Sequence, residues 1–309
     1  MKLDISFESI STILNHAVIT DPPLLGGWLE AGAPVLFAGE PGAGKSLFVL
    51  WLSLAIAYGG EFLNWSAPHP KKVCILDGEM RLKTMQKRLI SAQQYFGLDN
   101  GNLQILGRHV FRHARQPFPD LRCSEDRNKI IQLAKGADVL VLDNINALWP
   151  AGDENSPQFW REIEAFIFEA QDAGLTTVAL HHTPKSNRKS PAGSSRNLRV
   201  FEIIGIISKV SSMGDGQSAH FNLEFIKNRD LCGGMSPISA KLTTDPETLL
   251  AKWSAGPLKE SSVEDPNTID EQIKELHQQG YSVQQIMDAT GKGRTFVYDR
   301  LKNLRREIA

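Results

Sequence analysis

Residues 39–46 read GEPGAGKS and fill every position of the spacing G-x-x-x-x-G-K-[S/T]. PVLFAG at 34–39 is a short apolar run suited to a buried strand, and residues 45–58 have the apolar density of a core helix. Between a strand and a helix, that spacing means a phosphate cradle. Its glycines let backbone N–H groups turn inward, and the helix N-terminus adds the positive end of its dipole. Lys45 is expected to reach the β- and γ-phosphates, and the Ser46 hydroxyl to ligand Mg²⁺. The cradle therefore comprises Gly39, Glu40, Pro41, Gly42, Ala43, Gly44, Lys45, Ser46 and Leu47, with ATP and Mg²⁺ as the implied cofactors.

From there the pattern alternates. A strand is expected at 72–77, a helix at 81–96, a short strand at 102–106 and a helix at 125–135. A strand at 138–145, a helix at 157–173 and a strand at 175–181 follow. Such alternation predicts an α/β fold with a mainly parallel sheet, whose functional groups collect at the carboxyl ends of the strands. After 199 the runs VFEIIGIISKV, AHFNLEFIKN and SPISAKLTT have no helix between them and predict an antiparallel extension. The expected organisation is an ATPase domain over 1–253, a linker rich in Pro, Ser and charge over 254–267, and a small all-α unit over 268–309.

Two strands end in acids, VCILDGEM at 73–80 and LVLDNI at 140–145. Buried carboxylates are costly unless something uses them. Asp143, after four apolar residues, suits the Mg²⁺ side of the site (with Ser46), and hydrolysis further needs a group that orients or deprotonates water. In AAA+ ATPases that group is usually a Glu directly after the Asp, but here Asn144 follows. Glu79 becomes the candidate base. The bland alternative makes it a cap or first-turn acid of the next helix, with Asp77 as a cap or a partner of the metal-side acid.

The phosphate loop, its helix, YGGEFLNW and a strand ending in DGEM together resemble the RecA/DnaB-type core. They look closest to the RepA-type hexameric replicative helicases of plasmids and their relatives in mobile elements. The resemblance spans roughly 20–245 and implies a RecA-like fold with the catalytic Glu where Glu79 stands. It also implies that the histidine pair at the end of strand 175–181 senses the γ-phosphate, His182 preferred and His181 supporting. An imidazole N–H can donate to a phosphate oxygen. Residues 183–199 follow, with Lys185, Arg188, Lys189, Arg196 and Arg199 and no acid, and Gly193, Ser194 and Ser195 match a small-residue motif of the family. Such a loop is expected to line a ring's channel and to contact phosphates, since it has no aromatic to stack on bases. A solvated basic loop is the alternative. The family likeness also makes Arg229, with Lys227 as companion, a finger into a neighbour's nucleotide, and implies a homo-oligomer, a hexamer in the closest members.

Residues 268–309 show three helical patterns, with SVQQ opening the second as a capping box. GYSVQQIMDATGKGRTFVYDRLKNL resembles a helix-turn-helix, which makes Lys292, Arg294, Thr295, Tyr298 and Arg300 candidate DNA contacts. A trihelical protein-docking module is the alternative. RepA-type helicases need no such appendage.

The formal net charge of −1 gives no global basic footprint, so nucleic-acid affinity must be local. Three scattered cysteines (Cys74, Cys123, Cys232) form no CxxC and argue for a reducing compartment without zinc or disulfides. The apolar run at 47–58 is too short to span a bilayer and no signal peptide is expected, so a cytoplasmic protein without a membrane partner is expected. Two functions remain: an ATP-driven ring helicase or translocase on DNA, or a DNA-binding ATPase switch, a regulator or loader that assembles without unwinding. A small-molecule kinase is disfavoured by the histidine pair, the basic loop and Lys227–Arg229.

Overall fold

A computed structural model describes residues 7–15, 23–97, 101–150, 152–154, 156–183, 198–210, 218–228, 235–245, 247–258, 273–277, 281–290, 297–298 and 300–301. Its elements begin with α1 (Ile10–Asn15), β1 (Val35–Gly39), α2 (Lys45–Tyr58), the hairpin β2 (Glu61–Phe62) and β3 (Trp65–Ser66), and β4 (Val73–Asp77). There follow α3 (Leu82–Phe96), β5 (Leu103–Gly107), α4 (Arg108–His113), α5 (Ser124–Leu133), β6 (Val139–Asp143) and α6 (Ile145–Leu148). The series continues through α7 (Pro157–Asp172), β7 (Thr176–His182), β8 (Ile203–Lys209), β9 (Ala219–Asn228), β10 (Ile238–Thr244) and β11 (Ala251–Gly256).

Among the described residues nine strands share one sheet, in the order β11-β10-β9-β8-β1-β7-β6-β4-β5. From β5 to β8 every pair is parallel, and from β8 to β11 every pair is antiparallel. This is the RecA-like arrangement expected of the phosphate loop and the alternating pattern. Successive side chains of a strand leave by opposite faces, so each strand feeds two cores. Val35, Phe37, Val73, Ile75, Val139 and Val141 join α2 on one face. Leu36, Ala38, Leu76, Leu140 and Leu142 join α7 on the other. Strands buried on both faces explain the unbroken apolar runs in the sequence.

Two of the boundaries that move matter for the site and for the end of the domain. The strand expected over 138–145 stops at Asp143, and Asn144 caps a short helix by accepting a hydrogen bond from the Ala147 N–H at 3.1 Å. Ser254 to Gly256, expected as the start of a linker, are the end of β11. Trp253 holds that small-residue edge strand in place, its ring 5.1 Å from Phe62 and 5.9 Å from Trp51.

Contacts separate the chain into one unit of Met1–Lys209 with Met213–Leu258, and a second of Lys259–Ala309 with Val210–Ser212. Within the second, Ile273, Ile286, Val297 and Leu301 form a small core. The helix Val283–Thr290 opens with the expected capping box. The Gln285 side chain accepts from the Ser282 N–H at 2.9 Å, and the Ser282 hydroxyl accepts from the Gln285 N–H at 3.4 Å.

Candidate nucleotide site

The parallel strands deliver their polar ends to one edge of the sheet. Gly39 of β1 is level with His182 of β7, and Asp77 of β4 with Asp143 of β6. Gly44 turns the chain into α2 at φ 98°, a left-handed conformation that favours glycine. Lys45 is thereby folded back over the loop. Its ammonium donates to the carbonyls of Gly39 at 2.7 Å and Glu40 at 2.9 Å. The ammonium is buried and joins no ion pair among the described residues. Burial lowers its pKa to about 8, against the opposing pull of Asp143, Glu79 and Glu40. A buried cation in a ring of backbone groups, without its own carboxylate, is suited to an anionic phosphate.

The acids divide their work. Asp77 is buried, and its Oδ1 accepts from the N–H groups of Glu79 and Met80, both at 2.9 Å. The Gly78 N–H donates to the Asp143 carbonyl at 2.7 Å, and Arg108 Nε donates to the Gly78 carbonyl. The turn 77–80 is therefore held from three sides. A Cβ at Gly78 would lie 2.6 Å from that of Ala147, so the close approach of this turn to α6 requires glycine. Glu79 is exposed at the tip of the turn. It neither caps α3, where Arg81 is the N-cap residue, nor lies in its first turn, which has no acid.

Asp143 is buried, and burial first, then Asp77 and Glu79, push its pKa up to about 7. A hydrogen bond from Ser46 and the charge of Arg88 oppose that rise. The Asp143–Asn144 peptide is cis. A divalent cation beside Ser46 and Asp143 would remove the mutual repulsion of the acids, so these residues fit Mg²⁺. No cluster of three His, Cys, Asp or Glu side chains with metal-holding geometry occurs among the described residues. Mg²⁺ keeps waters and phosphate oxygens around it instead of a protein cage, so two protein ligands suffice.

Strand alternation separates the two histidines. Half-buried His182 stands with Nδ1 3.3 Å from Lys45 Nζ and Nε2 3.4 Å from Asn144 Nδ2. Burial and then Lys45 lower its pKa, which leaves it neutral. A neutral imidazole has one acceptor nitrogen, yet both neighbours are donors, so only one contact is a hydrogen bond at a time. His181 is fully buried and its ring nitrogens have no hydrogen-bond partner among the described residues. Its Nε2 is 3.7 Å from Glu154 Oε2, and Trp160 meets it edge-on at 5.3 Å. Burial lowers its pKa to about 3, so the Glu154 contact joins a neutral ring to a carboxylate and is not an ion pair. His182 faces the phosphate loop; His181, expected to support it there, faces Glu154.

Of the other expected site residues, Pro41 and Gly42 are exposed at the loop's crest, while Ala43 and Leu47 are buried beneath it. Lys227 differs from expectation. Its ammonium donates to the carbonyls of Leu198 at 3.3 Å, Arg199 at 3.2 Å and Phe201, so it ties β9 to the chain entering β8. Three carbonyls at one turn match the three donors of an ammonium. Arg199 is exposed in that turn, and Tyr298 is 48% exposed in the second unit. Lys185, Arg188, Lys189, Arg196, Arg229, Lys292, Arg294 and Thr295 lie outside the described residues. Sequence reasoning missed Asn144 as the partner of His182, although its place directly after Asp143 was a signal. It also missed Arg108, for which a lone arginine after a strand gives no warning.

No helix among the described residues is long and apolar enough to cross a membrane. A family model described as an AAA domain matches residues 15–188, more than half of the chain. The chain is 26% identical over 167 residues to the DNA repair protein RadA of Chlamydia trachomatis, and likewise 26% identical over 167 residues to that of Chlamydia muridarum. The match covers 53% of this chain but only 31% and 30% of those relatives, so the chain spans under a third of their length.

Proposed function

This chain belongs to the AAA-domain family of P-loop ATPases, and from that premise we propose that it is an ATP-hydrolysing motor on DNA. Its working form is a homo-oligomeric ring of the RepA type, a hexamer, acting as a helicase or translocase in the replication of a plasmid, phage or mobile element. The observation that carries this reading is the placement of His182 between Lys45 and Asn144, at the end of the strand that leads into the basic segment 183–199. The DNA repair protein RadA as a relative supports DNA as the target.

In this reading the loop amides and Lys45 bind the β- and γ-phosphates, and Ser46 and Asp143 would hold Mg²⁺. When bound, the metal neutralises charge on the transferring phosphoryl group. Glu79, carried on the turn 77–80, takes a proton from water as the water oxygen bonds to the γ-phosphorus and the bond from that phosphorus to the β–γ bridging oxygen breaks, with ADP as the leaving group. Once phosphate oxygens engage Lys45, His182 Nδ1–H is free to donate to them while Nε2 accepts from Asn144. The sensor thus changes partners with the γ-phosphate, and the segment with Lys185, Arg188, Lys189, Arg196 and Arg199 carries that change to single-stranded DNA. Arg229 reaches the neighbouring nucleotide, so hydrolysis depends on assembly. The C-terminal unit binds duplex DNA as a helix-turn-helix through Lys292, Arg294, Thr295 and Tyr298.

Strand displacement and ATP hydrolysis, each with and without single-stranded DNA, test the motor, with Lys45→Ala as the inactive control. Displacement that needs ATP and Lys45 supports it. Hydrolysis stimulated by DNA without displacement replaces the motor with the switch, a reading favoured by the C-terminal unit, which RepA-type helicases do not need.

A further inference from the structure

From 101 to 119 the chain has no acid, yet it carries Arg108, His109, Arg112, His113 and Arg115. Phe111 buries α4 against the body, while Arg108, Arg112, His113 and Arg115 stand exposed. Arg108 and Arg112 are one helical turn apart and share a face. Arg115 closes the helix at φ 54°, its N–H donating to the Arg112 carbonyl at 3.1 Å. That left-handed conformation is uncommon for a residue with a side chain and is tolerated best by Gly, Asn or Asp, yet an arginine occupies it.

Nearby arginines are treated differently. Arg122 pairs with Asp120 at 2.6 Å and Arg127 with Glu169 at 2.9 Å. Among the described residues Arg108, Arg112 and Arg115 join no ion pair. Arg108 is nonetheless held: its guanidinium lies 4.2 Å over the Phe118 ring and its Nε donates to the Gly78 carbonyl. The patch therefore begins one residue from Glu79.

We propose that α4 and its closing turn form a second contact surface for single-stranded DNA, in which Arg108, Arg112 and Arg115 engage the phosphodiester backbone. The proposal rests on the DNA-acting reading above and deepens it. Arginines without acids suit phosphates, and no phenylalanine, tyrosine or tryptophan is exposed between 108 and 116 to stack on a base, so the surface tracks backbone without reading sequence.

The test is the affinity of the full chain for a fluorescent oligothymidylate over a range of salt concentration. The forms compared are wild type, Arg112→Ala with Arg115→Asn, and Arg112→Lys. Asparagine suits the left-handed position, and an unchanged melting temperature reports an intact fold. The double variant is expected to bind on the order of tenfold more weakly, with a salt slope shallower by about 1.4, about 0.7 for each lost contact. Arg112→Lys is expected to keep most of the affinity. Wild-type affinity and slope in the double variant would overturn the proposal while leaving the DNA-acting reading intact. A variant that loses self-assembly but keeps its DNA affinity would overturn it too, by assigning the patch to a neighbouring subunit. A wild-type chain that binds no DNA removes both readings.

Discussion

The parallel strands and the antiparallel wing belong to one sheet, yet they do different work. β1, β4, β6 and β7 run the same way, so Gly39, Asp77, Asp143 and His182 arrive together at one edge. In the wing, neighbouring strands alternate in direction and their ends are divided between two edges. Its large side chains are spent on packing: Phe221 and Trp253 meet Phe48, Trp51 and Phe62 over α2. Parallel order concentrates chemistry, and the wing braces the helix on which that chemistry stands.

That contrast predicts separable defects. Trp253→Ala, in the wing, is expected to lower stability by about 3 kcal/mol, the loss of a packed aromatic side chain. Denaturant melts would show it, while the folded fraction keeps its hydrolysis rate. A stable Trp253→Ala protein that hydrolyses slowly breaks the division. His182→Ala, at the parallel edge, is expected to leave the melt unchanged and cut DNA-stimulated hydrolysis roughly 10-fold, the worth of one hydrogen bond to a charged group. An equal loss with and without DNA would make it a binding residue and not a sensor.

The smallest effect is a proton. With its pKa raised to about 7, Asp143 keeps a proton that the unfolded chain has lost, so its contribution disfavours folding increasingly as pH rises from about 4 to about 7. Metal binding requires the carboxylate. Calorimetry of Mg²⁺–nucleotide binding in buffers of different ionisation enthalpy should therefore show proton release at about pH 6 and almost none at about pH 8. Proton uptake at the lower pH runs against the assignment.

Much of the parallel half was legible in the residues because its signals are local. The phosphate loop is a fixed spacing, and an acid ending an apolar run is visible without knowing the fold. The division between His181 and His182 was not, since neighbouring residues leave a strand by opposite faces and only the pairing of β7 with β1 says which face meets Lys45. Lys227 read as a reaching cation because its three carbonyl partners are 26 to 29 residues away in sequence. Ser254 to Gly256 read as linker because small residues signal turns, whereas Trp253 and pairing with β10 make them an edge strand. Arg108 is not legible in the sequence because its meaning lies in a contact with Gly78, thirty residues earlier.

Glu79→Gln and Asp77→Asn, compared side by side for ATP affinity and single-turnover hydrolysis, test the division of labour among the acids most directly. Glu79→Gln should bind ATP as wild type does and hydrolyse it at least about a hundredfold more slowly, the range for loss of a general base. Asp77→Asn, which still offers an oxygen to the turn, should lose much less. Hydrolysis by Glu79→Gln at the wild-type rate would contradict the account.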